Sequence, residues 1–100
     1  MGNSNRKGRD IDAALRKKGF RCETDGKHIW YYFTGIPQTG IKVMMSHGMM
    51  GKTIGAGLIG DMAIQLHLSK KQFLDLIDCH LDAAGYRAII ERLSSSQDER

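Results

Sequence analysis

The sequence predicts an α+β fold, a two-layer α-β-β-β-α sandwich with extra C-terminal helices. Three observations carry that prediction. Ile11, Ala14 and Leu15 fall at i, i+3 and i+4, one apolar stripe of a helix. Residues 20–46 then hold three short alternating segments with short connections, as successive antiparallel strands do. Residues 58–93 return to helical spacing three times. Helices flanking a meander can cover one face of the sheet and leave the other open.

The 100 residues are enough for one domain with one modest core. Residues 1–9 are expected to form a disordered basic tail. Residues 10–93 form a single domain, with a core at 10–77 and a helical extension at 78–93. Residues 94–100 form a polar tail. Fifteen Lys+Arg against eleven Asp+Glu give a net charge of +4, which permits an anionic partner without requiring one.

The elements follow in order. Asp10–Lys18 reads as a helix, with acidic Asp10 and Asp12 at its start and Arg16, Lys17 and Lys18 at its end. Gly19 is the expected stop. Phe20–Thr24 and His28–Thr34 alternate as strands around an Asp25-Gly26 turn, the short-range hairpin signal. After the Gly35–Gly40 loop, Ile41–Ser46 is the third strand. A glycine-rich connection, His47–Gly57, leads to a helix at Leu58–His67. Ser69 caps a helix at Lys70–Asp78, and Asp82 caps another at Ala83–Leu93.

Several function classes fall away. No apolar run approaches the ~20 residues that span a bilayer, so no membrane segment is expected. Cys22 and Cys79 are far apart, and residues 1–9 lack a signal-peptide apolar region. Reduced thiols and a cytoplasmic setting are therefore expected. Cys79-His80 has no second pair at zinc spacing, so no metal and no cofactor is expected. Gly51-Lys52-Thr53 lacks the earlier glycine of a P-loop, because Ser46 stands there.

The chemistry concentrates in Thr24–Phe33. His28 follows a tight turn and begins a strand at an exposed edge of the sheet, with Lys27 before it and Trp30-Tyr31-Tyr32-Phe33 after it. Trp30 and Tyr32 share the face of His28. A histidine suits proton transfer because its ordinary pKa of ~6.5 lies near working pH. Lys27, Lys42 and Lys52 are candidate phosphate contacts, and Trp30 or Tyr32 offers a stacking surface for an unpaired base.

Leu15-Arg16-Lys17-Lys18-Gly19-Phe20, then Gly26-Lys27-His28 before an aromatic strand, resembles the N-terminal half of HicA-type toxins, the small mRNA interferases of toxin–antitoxin systems. Val43–Gly48 is similar to that family's third strand, which ends in a histidine, here His47. Leu58–Ser69 and Lys70-Lys71-Gln72-Phe73 are similar to its second helix and the segment after it. The resemblance spans roughly residues 10–77. It implies the compact sandwich of double-stranded-RNA-binding domains and metal-independent cleavage of RNA. It also implies His28 as the catalytic residue and an antitoxin covering the active face. Gly26 and His47 are further candidate RNA contacts. The family motif is Gly-Ser-His-His, whereas this chain has Gly26-Lys27-His28-Ile29. Two alternatives stand beside the endoribonuclease: a non-catalytic RNA-binding module on the same fold, and a protein-interaction domain whose open sheet and C-terminal helices dock another chain or another copy of itself.

Overall fold

The computed structural model describes residues 5–98, except for the side chains of residue 37 and residues 94–98. The described elements run β1 (Arg6–Lys7), α1 (Gly8–Lys17), β2 (Phe20–Asp25), β3 (His28–Phe33), β4 (Lys42–Ser46), β5 (Thr53–Ile54), α2 (Ala56–Gln65), α3 (Lys70–Ile77) and α4 (Ala83–Asp98). Short 3₁₀ turns follow β3 and β4 at Pro37–Thr39 and His47–Met49. The described residues are thus mixed α and β, with two small antiparallel sheets among them.

Strands β2, β3 and β4 form the expected meander, with β3 in the middle. Alternation buries Ile29, Tyr31 and Phe33 of β3 and Val43 and Met45 of β4 on one face. Helix α1 contacts β2, α2 contacts β4, and α3 packs against both helices. Their apolar stripes supply Ile11, Leu15, Ile59, Met62, Phe73 and Leu76 to the same core. Each such side chain gains about 1.5–3 kcal/mol by leaving water. The opposite face of the meander is the open one.

The predicted ends hold where a capping group is present. Ser69 accepts from the Gln72 N–H at 3.1 Å, and the Gln72 amide oxygen accepts from the Ser69 N–H at 2.9 Å. Asp82 accepts from the Gly85 N–H at 2.7 Å at the start of α4. Helices α2 and α3 end differently. Each turns at a non-glycine residue with positive φ, His67 at 64° and Cys79 at 67°. There the N–H groups of Leu68 and His80 donate back to Ala63 and Asp75.

The expected tail boundaries shift. Residues 6–9, assigned by the sequence to a disordered tail, form β1 and the first turn of α1, while residues 1–4 lie outside the description. Arg6 pairs with Ile54 and Lys7 with Thr53 across the small ribbon. Arg6 also donates twice to Asp78, at 2.8 and 2.7 Å. At Gly8 the chain passes so close to Met49 that a Cβ would stand 1.9 Å from its carbonyl oxygen. A two-residue strand is too short to show alternation, and its partner lies almost fifty residues away.

Helix α4 belongs to the core. Tyr86 is fully buried, meets Phe33 edge-on with ring centroids 4.9 Å apart, and lies 5.5 Å from Phe20. Its hydroxyl donates to the Leu66 carbonyl at 3.0 Å. The helix also runs beyond Leu93 to Asp98, where the sequence predicts a polar tail. Lys18, one of the cations at the end of the first helix, is only 6 % exposed and donates to the Cys79 sulfur at 3.4 Å. Both cysteines are free thiols. No helix among the described residues is long and apolar enough to cross a membrane.

Candidate functional site

The hairpin turn sets the site. Its central pair is Gly26-Lys27, so Asp25 is the last residue of β2 and faces His28 across the register. Gly26 takes the first central position with φ +52°, which a side chain at that place would strain. The sequence prediction of an Asp25-Gly26 turn is therefore corrected by one position. His28 is also not on an edge strand. It begins the central strand, at the end of the sheet, with Asp25 on one side and Ser46 on the other.

Register turns the open face into three rows. Asp25, His28 and Ser46 form the row beside the turn. Glu23, Trp30 and Met44 form the middle row, and Arg21, Tyr32 and Lys42 the far one. Trp30 and Tyr32 lie nearly parallel, 23° apart, with ring centroids separated by 6.5 Å. The Lys42 ammonium sits 5.3 Å from the Trp30 centroid, and the Arg21 guanidinium 5.0 Å from that of Tyr32. Each cation faces the negative face of a ring. Arg21 also pairs with Glu23 at 3.4 Å.

The predicted residues divide accordingly. His28, Trp30 and Lys42 share the open face, and Gly26 and Lys27 form the adjoining turn. His47 follows Ser46 at the same end of the sheet, where its backbone N–H donates to the Lys27 carbonyl at 3.2 Å. Lys52 does not join them. Its carbonyl accepts from the Gly8 N–H at 2.9 Å, and it precedes β5 in the other sheet. Ile29, which follows His28, is 2 % exposed and part of the core.

Sequence reasoning missed Arg21, Asp25 and Ser46 as members of this face. Alternation already placed Arg21 opposite the core side of β2. Asp25 was hidden by its assignment to the turn. Ser46 could be found only by pairing β3 with β4 in register.

A cleft of about 210 Å³ lies elsewhere, between α1 and the end of α3, lined by Arg6, Asp10, Lys17, Ile77, Asp78 and Cys79 among others. None of the predicted site residues lines it. Among the described residues, no three His, Cys, Asp or Glu side chains are grouped to hold a metal ion. Comparison with protein-family models, curated proteins and solved structures finds no match to this chain.

Proposed function

We propose that this chain is an RNA-cleaving protein of the HicA type, acting on mRNA through the open face of its meander. One observation carries the reading: His28 stands in register at the end of a face that also holds Trp30, Tyr32, Arg21 and Lys42. An imidazole for proton transfer, rings for unpaired bases and cations for phosphate thus share one rigid surface. The order α1-β2-β3-β4-α2, with helices on one sheet face, supports the double-stranded-RNA-binding-domain arrangement. A cognate antitoxin would restrain the protein in the cytoplasm by covering this face.

The experiment is expression of the parent and of His28→Ala, scored by growth and by RNA integrity. The parent should arrest growth and degrade RNA, and the variant should do neither. A variant as toxic as the parent removes His28 from the chemistry.

A second reading is a non-catalytic RNA-binding module. It is favoured by Lys27 in place of the family's serine and by the burial of Ile29. RNA binding with no cleavage by the purified parent would select it. Absence of salt-sensitive RNA binding would select a protein-interaction domain instead.

A further inference from the structure

Cleavage of RNA by its own 2′-hydroxyl needs two proton transfers, one from O2′ and one to O5′. A single imidazole supplies one of them at a time. We propose that Asp25 is the second catalytic residue, a general base that works with His28 as the general acid. This inference rests on the ribonuclease reading of the open face.

The register supports the pairing. Asp25 and His28 are the last cross-strand partners before the turn, and both project from the open face. Directly opposed residues hold their Cβ atoms about 4.5–5.5 Å apart, which lets one phosphodiester lie over both side chains. Gly26, with φ +52°, closes the two-residue turn that fixes this pair. Asp25 is exposed and makes no side-chain hydrogen bond or ion pair among the described residues. Glu23, the other carboxylate of the face, is held by Arg21 at 3.4 Å and stands opposite Trp30. Around His28 the remaining groups are Ser46 and Met44 from β4, Trp30 on its own strand and Lys27 in the turn.

In the proposed step the O2′–H bond breaks and its proton passes to the Asp25 carboxylate. O2′ forms a bond to phosphorus as the P–O5′ bond breaks, its electron pair staying on O5′. The His28 imidazolium gives its proton to that oxygen. The products are a 2′,3′-cyclic phosphate and a 5′-hydroxyl end, and the atoms balance with no other reactant.

The test uses a leaving group that needs no proton. Single-stranded RNA is compared with a nucleoside 3′-(4-nitrophenyl phosphate), using the full chain. His28→Ala should lose about 10²-fold or more on RNA yet keep most of its rate on the nitrophenyl ester. Asp25→Ala and the isosteric Asp25→Asn should lose about 10²-fold or more on both substrates while still binding RNA. Circular dichroism melts of both Asp25 variants confirm the fold. Asp25 variants that cleave like the parent overturn the proposal. So do variants that lose activity on RNA alone, since Asp25 would then act only through His28. A parent that cleaves neither substrate fails the ribonuclease reading, and this inference falls with it.

Discussion

The Tyr31 hydroxyl donates to the Asp12 carboxylate at 2.5 Å, and both oxygens of that carboxylate accept from Arg16 Nε at 3.0 Å. The central strand is thereby tied to α1 through a fully buried ring. Tyr31→Phe should lower stability by about 1–2 kcal/mol in urea denaturation, since it leaves a half-buried carboxylate short of one donor. An unchanged midpoint would mean that Arg16 alone satisfies Asp12.

The two buried tyrosines give the fold an alkaline limit. Burial, and for Tyr31 also the Asp12 carboxylate, raises both hydroxyls above their ordinary 10.0. A raised folded value means that the stabilisation is complete below pH 10.0 and declines as pH rises beyond it. Melting temperatures should fall on that side, and Tyr86→Phe should flatten the fall. Tyr86→Phe melts with the parent's full alkaline slope would refute the assignment.

Arg6 and Asp78 set an acid limit on the N-terminal ribbon. Two hydrogen bonds from Arg6 lower the Asp78 carboxyl below its ordinary 3.8. A lowered folded value means that this contribution is present above pH 3.8 and is lost as pH falls through the folded value. The pair is partly exposed, so Asp78→Asn should cost only about 0.2–1 kcal/mol near neutral pH. Hydrogen exchange at Arg6 and Lys7 should speed up in the same variant.

His67 and Cys79 occupy helix-ending positions where glycine is the usual residue. A left-handed conformation costs a non-glycine residue about 1–2 kcal/mol, part of which glycine gives back in unfolded-state entropy. His67→Gly should therefore raise stability by about 0.5–1 kcal/mol, read as a higher denaturation midpoint. A lower midpoint would show a favourable role for the imidazole at that helix end.

If the open face binds RNA as proposed, the affinity should divide between rings and charges. Trp30→Ala should weaken binding to single-stranded RNA by about 1–3 kcal/mol with little change in salt dependence. Lys42→Ala should lower the slope of log affinity against log salt by about 0.7. Fluorescence anisotropy across a salt series separates the two, and equal slopes for parent and Lys42→Ala would take Lys42 off the phosphate path.

The meander, the helices and the face of His28, Trp30 and Lys42 were legible because each has a local signal: alternation, a capping group or helical spacing. What was not legible depended on distance. The Arg6–Ile54 pairing and the anchoring of Lys52 by Gly8 join residues far apart in sequence, and neither leaves a local pattern. The position of the turn was a finer matter. Asp-Gly is a strong turn pair, yet the chain places glycine first and lysine second. A turn centred on Asp25-Gly26 would have put Glu23 opposite His28. The observed one gives that place to Asp25.

Tyr86 sits between Phe20 and Phe33 from α4, the last of the described helices in chain order. During synthesis the sheet and first helices emerge with that aromatic gap open, and residues to about Ile90 must follow before it closes. The sheet is therefore built early, while the aromatic cluster behind it closes only late. A chain cut before α4 would leave Phe20 and Phe33 without the third ring that joins them.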